Sequence, residues 1–310
     1  MQRVVSLIPF ATEIVAALGC LDRLVGRSHA CDFPPEVERL PVLTAPRIEL
    51  SGSSAEIDER VKVAAGEVLS IYEVDEALLV ELRPDLIVTQ DHCEVCAVSL
   101  ADVERAVRKS HTCKAEIVAL HPDSLDDVWG DIEQVGQALD REEAADALIL
   151  YMHDSFAEIA TAVARQSRPT VALIEWLDPL MMAGNWLPTL TAIAGGDDLF
   201  GTAGAPSPLV EWEAVRAADP DVIVVMPCGF DIARAAAEMH VVEAREGWHE
   251  LKAVRAKRVY LADANHYFNR PGPRLADSAR ILAEILHPDL FPPRHEGRAW
   301  VRWRAWGIVQ

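Results

Sequence analysis

Basic residues are scarce in this 310-residue chain: 29 Lys and Arg face 49 Asp and Glu, a formal net charge of −20. Polyanions are repelled by such a chain on average, and no Lys/Arg-rich run offers a local exception, so nucleic acid is not expected as a partner. Long apolar runs are missing too. No stretch approaches the roughly 18 residues a membrane-spanning helix needs, so the chain is not expected to be membrane-embedded. Nor is there a G-x-S-x-G, a P-loop, or a G-x-G-x-x-G after a strand, the usual signatures of α/β hydrolases and nucleotide binders. What the chain does have is bulk. Half of it is hydrophobic and a quarter charged, enough to bury a sizeable core. Near the N-terminus, Ala-Leu-Gly-Cys20 echoes a lipoprotein cleavage box. However, Pro9 and Glu13 interrupt the apolar run and Arg3 is the only basic residue before it. The segment reads better as a buried strand entering a helix, which sets the expectation of a cytoplasmic protein, with a periplasmic or lipid-anchored one as the alternative.

The same phrase occurs twice. Residues 82–89 read Leu-Arg-Pro-Asp-Leu-Ile-Val-Thr and residues 218–225 read Ala-Asp-Pro-Asp-Val-Ile-Val-Val. Each is a polar turn followed by a continuous apolar run, the pattern of a parallel strand covered on both faces. A helix-like stretch precedes each, Val74–Leu82 and Leu209–Ala217. Other elements repeat in the same order. The strand Val4–Ile8 and helix Ala11–Leu18 answer to Val171–Ile174 and Leu187–Ala194. Asp22–Gly26 answers to Asp197–Gly201, and the closing strand Ala115–Leu120 to Arg258–Leu261. Alternating strands and helices at this spacing predict an α/β fold of two Rossmann-like lobes of similar topology. The stretch from Ser124 to Gln166 has no Pro. Its apolar stripe, from Ala145 through Leu148, Ile149, Met152, Phe156 and Ile159 to Val163, predicts a long helix. Arg141 to Gln166 would reach about 39 Å, enough to join both lobes. The expected domains are an N-terminal lobe over residues 1–123, a helical segment over 124–167 and a C-terminal lobe over 168–310.

In parallel sheets, ligands bind outside the carboxyl ends of the strands. A ligand cleft is therefore expected between the lobes, lined by Pro9–Thr12, Ser28–Asp32, Gln90–Cys96, Glu175–Trp186, Pro227–Phe230 and Asp263–Arg270. Four of the six cysteines fall in these loops: Cys31, Cys93, Cys96 and Cys228. Cys93-Glu-Val-Cys96 presents two thiols on one tight turn, a geometry shared by zinc sites, iron–sulfur clusters and dithiols. With Cys31, Cys228, His29 and His92 nearby in the predicted cleft, metal ligation is one reading of this set. Small core residues are the other, and that is the reading for Cys20 and Cys113. A dithiol oxidoreductase fits poorly, because Asp91 and Glu94 would raise the thiol pKa values. Trp176, Trp186, Phe230, Tyr267 and Phe268 offer ring faces for a large flat ligand. Arg270 and Arg274 are suited to a ligand anion or to structural salt bridges. The Trp-rich segment from Trp300 to Trp306 reads as a final strand or packing tail.

Taken together, Val5-Ser-Leu-Ile-Pro-x-x-Thr-Glu13, Val25-Gly26, Asp32-Phe-Pro-Pro35 and Arg83-Pro-Asp-Leu-Ile87 resemble the class III substrate-binding proteins of ABC importers. Cys93-Glu-Val-Cys-Ala-Val-Ser99 and Tyr267-Phe-Asn-Arg-Pro-Gly-Pro-Arg274 are most similar to the cobalamin-binding subgroup that lacks an evident signal peptide. The resemblance implies a non-catalytic protein that captures a cobalamin-like tetrapyrrole or a metal-containing small ligand, with an ABC permease as partner if the chain is exported. The thiols keep a second expectation open. In it the chain is a cytosolic metalloprotein, carrier or enzyme, holding an iron–sulfur cluster or zinc.

Overall fold

Continuous apolar runs become strands buried on both faces. Val4 and Val5 have no exposed surface, and every residue of Leu86–Gln90 is buried. A computed structural model describes residues 1–66, 71–91, 98–109, 114–304 and 307–308. It divides the chain into two units, unit 1 (Met1–Gly52, Glu56–Pro122, Asp126–Tyr151) and unit 2 (Ser53–Ala55, Asp123–Leu125, Met152–Gln310). The first elements are β1 (Val4–Ser6), α1 (Pro9–Ala17), β2 (Leu24–Arg27), β3 (Thr44–Pro46), α2 (Ser54–Gly66) and β4 (Tyr72–Val74). Then come α3 (Glu76–Leu82), β5 (Leu86–Gln90), α4 (Leu100–Lys109), β6 (Glu116–Leu120) and α5 (Leu125–Ala138). The parallel sheet of unit 1 runs β2-β1-β5-β6. Val5, Leu7, Leu43, Leu79, Ile87 and Val103 form its core.

The long helix α6 (Glu142–Val163) carries the division between units, which falls between Tyr151 and Met152. It spans about 33 Å, and Ala145, Met152, Phe156, Ile159 and Val163 are buried along it as the stripe predicts. It is separated from α5 by a turn in which Asp140 takes the left-handed conformation, φ 53°.

Unit 2 continues with β7 (Thr170–Trp176), β8 (Met181–Met182), α7 (Leu187–Ile193), β9 (Asp197–Asp198), α8 (Trp212–Ala218) and β10 (Val222–Val225). It ends with α9 (Ile232–Glu243), α10 (Lys252–Arg255), β11 (Val259–Ala262), α11 (Leu275–Leu286), β12 (Trp300–Arg304) and β13 (Gly307–Ile308). Its parallel core runs β9-β7-β10-β11, the same order of equivalents as unit 1. β8 pairs antiparallel with β7, and β12 and β13 extend the sheet antiparallel past β11. The fold is α/β, with a parallel sheet at the centre of each unit.

The repeated phrase does the same work twice. Arg83 and Asp219 end α3 and α8 with left-handed φ values of 44° and 43°. The carboxylate that follows each Pro then reaches the strand beside it. Asp85 Oδ2 accepts from the backbone N–H of Arg3 at 2.8 Å, and Asp221 Oδ2 from that of Thr170 at 3.0 Å. Register makes these positions equivalent, since Val4 pairs with Leu86 and Val171 with Val222.

Two helices start later than their patterns predict. Val74 closes β4 against Thr44, and α3 begins only after Asp75, whose Oδ1 caps the N–H of Leu78 at 2.9 Å. Leu209 follows Pro208 in extended chain bridging Met181, and α8 begins at Trp212. The Trp300 segment is the predicted final strand. Trp300 Nε1 donates to Glu284 Oε2 at 2.9 Å, and Trp303 Nε1 to Glu243 Oε1 at 2.7 Å.

Candidate ligand-binding loops

In unit 1 the loops after β1 and β2 meet in a buried hydroxyl–thiol cluster. Cys31 Sγ lies 3.0 Å from Thr12 Oγ1 and 3.1 Å from Ser28 Oγ, and Thr12 donates to Ser6 Oγ at 2.8 Å. Cys31 has no exposed surface. Its thiol is packed inside the unit against these hydroxyls. His29, next to it, is partly buried. Its Nδ1 lies 2.8 Å from Thr44 Oγ1, and its ring stacks on Tyr72 with centroids 5.3 Å apart. Burial, helped by the Arg27 charge, holds its pKa below the usual value, so the imidazole is neutral at pH 7. Past β5 and β6, Asp91 Oδ1 pairs with His121 Nδ1 at 2.6 Å, and Asp131 accepts the His121 backbone N–H. Burial pushes the Asp131 carboxyl up to about 7.

His92, Cys93 and Cys96 lie outside the described residues, as does Cys113. Among the described residues no group of three His, Cys, Asp or Glu side chains is placed to hold a metal ion. Cys228 is partly exposed in unit 2.

In unit 2 the sequence-predicted aromatics come together. Trp176 and Phe230 meet edge to face at 5.4 Å, with the Arg234 guanidinium 3.9 Å from the Phe230 ring centre. Trp186 Nε1 donates to the Phe268 carbonyl at 3.1 Å. Gly229 N–H bonds to Asn269 Oδ1 and Asn265 N–H to the Phe230 carbonyl, so the loops after β10 and β11 hold one another. Within this cluster Trp186, Phe230, Phe268 and Arg270 are buried, whereas Trp176 and Tyr267 keep part of their surface in solvent. Arg274 stacks over Tyr267. Asp263 fixes His266 with two bonds, accepting its backbone N–H at 3.0 Å and pairing with Nδ1 at 2.7 Å.

Glu175, which opens one of the expected cleft loops but is not among the candidate side chains, is the last polar group before Trp176 on β7. Ser207 Oγ donates to its Oε2 at 2.9 Å, and the Gly184 N–H in turn donates to Ser207 Oγ at 3.2 Å. Burial pushes the Glu175 carboxyl up to about 7, against the Ser207 hydroxyl and Gly184 N–H that favour the ionised form. A glutamate ending the run Val-Ala-Leu-Ile was the available signal. Two cavities, of about 390 and 410 Å³, lie elsewhere and are lined by none of these residues.

The family model described as periplasmic binding protein matches residues 4–266. The chain belongs to that family. This binding protein is 25% identical to the vitamin B12-binding protein of Vibrio cholerae over 92% of its own length and 89% of that protein's. It is equally 25% identical to an uncharacterized ABC transporter substrate-binding lipoprotein, YvrC, of Bacillus subtilis, over 94% and 81% of the two chains. The crystal structure of a periplasmic heme-binding protein from Pseudomonas aeruginosa shares its fold with a TM-score of 0.69, at 21% identity over 93% and 94% of the chains. These relatives are binding proteins rather than enzymes. The names of the latter two place those proteins on a lipid anchor and in the periplasm, the setting of the alternative to the cytoplasmic expectation. No helix among the described residues is long and apolar enough to cross a membrane.

Proposed function

We propose that this protein is the ligand-capturing component of an ABC importer, exported to the cell surface or periplasm, and that its ligand is a cobalamin-type tetrapyrrole. The observation that carries the reading is the family match over most of the chain, joined to near-full-length similarity to a vitamin B12-binding protein. The loop cluster of unit 2 supports it. Trp176, edge to face with buried Phe230, and Tyr267 are partly exposed, and Trp186 is tied to the Phe268 backbone, aromatic surface suited to a broad apolar ring. Delivery to a permease follows from the family role and involves no chemistry on the ligand.

Titrating purified protein with cyanocobalamin, read by tryptophan quenching and calorimetry, tests this directly. The expected result is saturable binding near one equivalent. Protein that takes up neither cyanocobalamin nor cobinamide would sink the proposal. Full binding by a chain in which Cys31, Cys93, Cys96 and Cys228 are all Ser would separate it from a thiolate-held cluster or zinc site.

A further inference from the structure

Glu175 lies near the carboxyl end of β7 in unit 2. Its direct partners are the Ser207 hydroxyl and the Gly184 N–H, and no charged side chain is among the groups that shift its carboxyl. The next loop attaches to the same residue, because the Cys228 N–H donates to the Glu175 carbonyl at 3.0 Å. Trp176, directly following, contacts Phe230. Glu175 as a residue is partly exposed, while its carboxyl is held in a desolvated setting beside the loops proposed to hold the ligand.

We infer that the Glu175 carboxylate, held by Ser207 at the carboxyl end of β7, is a specificity-determining acceptor that favours rings edged with amide N–H groups over rings edged with carboxylates. This inference rests on the proposed tetrapyrrole-binding role. An ionised carboxylate accepts hydrogen bonds from amides and repels a ring carboxylate in a site of low dielectric. Once protonated it loses the repulsion and gains a donor, so the preference fades. The change belongs near pH 7, where this carboxyl titrates. The whole chain, at −20, adds a diffuse bias of the same sign.

The test uses two corrinoids that differ at their edge: dicyanocobinamide, edged with amides, and dicyanocobyrinic acid, edged with carboxylates. Ring carboxylates stay ionised from pH 6 to 8.5, so a changing preference over that range arises in the protein. The wild type is expected to prefer cobinamide, by a ratio that grows about tenfold between these pH values, one pKa unit's worth of differential interaction. In Glu175→Gln, which keeps an acceptor for Ser207, the ratio stays flat and cobyrinic acid binds more tightly at pH 8.5. Ser207→Ala, a smaller change that spares the fold, shifts the midpoint upward by removing a bond to the ionised form. If the wild type binds cobinamide but its ratio is flat, or matches that of Glu175→Gln across the range, the selector is overturned and the tetrapyrrole role stands. If neither corrinoid binds, both fall.

Discussion

At the scale of single residues, two carboxyls hold protons that the unfolded chain would release. Glu175 and Asp131 are both pushed up to about 7 by burial, from ordinary values near 4. Each native carboxyl therefore binds more protons than its unfolded counterpart across that window. Their contribution is fully present at the acid end and is lost as pH rises towards 7. A shift of this size corresponds to roughly 4 kcal/mol per group. Urea midpoints should thus fall between pH 5.5 and 8 in the wild type, and Asp131→Asn should be more stable than the wild type at pH 8. A wild-type midpoint that rises over that interval, with Asp131→Asn unchanged, would contradict the assignment. Residue-level function was the hardest thing to read in advance. Cys31 and Cys228 both follow parallel strands and looked alike on the page. Spacing cannot tell that Thr12 and Ser28 close over one thiol, while the other stays partly exposed. Glu175 falls in an expected cleft loop, yet a single polar residue ending an apolar run resembles a strand boundary and does not stand out as a functional side chain.

Elements were far more legible, because burial on both faces leaves an uninterrupted apolar signature. β1 and β10 fall inside runs visible in the sequence, whereas β5 and β7 contain or overlap theirs and extend one or two residues beyond. Helix α11 occupies Leu275–Leu286 as its Pro/Gly boundary implies. Errors cluster where a polar side chain or a proline sets the boundary, as Asp75 does for α3 and Pro208 does ahead of α8. Long-range polar ties were invisible. Glu284, 1% exposed on α11, accepts from the backbone and Nδ1 of His295 and from Trp300 Nε1. Through it the segment leading into β12 is fastened to α11. Glu284→Ala strands three buried donors and should cost about 3 kcal/mol, whereas Glu284→Gln should cost less by keeping two acceptor contacts. Thermal melts of the two variants decide this, and equal losses would show that the carboxylate charge, rather than its acceptor sites, holds the segment. Gly184 offers a second check. A Cβ there would meet the Ala205 carbonyl oxygen at 2.5 Å and the Ser207 nitrogen at 2.7 Å. Gly184→Ala should therefore displace Ser207 and mimic Ser207→Ala in ligand preference.

Over the whole molecule, the internal repeat in the sequence corresponds to two α/β units with the same order of parallel strands. No helix among the described residues is long and apolar enough to cross a membrane. The thiols raise the expectation of a metal centre, and Cys93 and Cys96, half of that set, lie outside the described residues. The net charge of −20 has its own consequence: association of anionic rings should quicken with added salt, while that of neutral corrinoids should not. Stopped-flow binding at low and high ionic strength measures this, and equal salt response for both ring types would count against it. The two Pro-Asp corners also make the molecule a set of interchangeable parts. Because Asp85 and Asp221 make the same bond at the same register after the same left-handed turn, a chimera carrying Ala218–Asp221 in place of Leu82–Asp85 should fold with its first sheet intact. In that sense the chain contains its own donor sequence for repair.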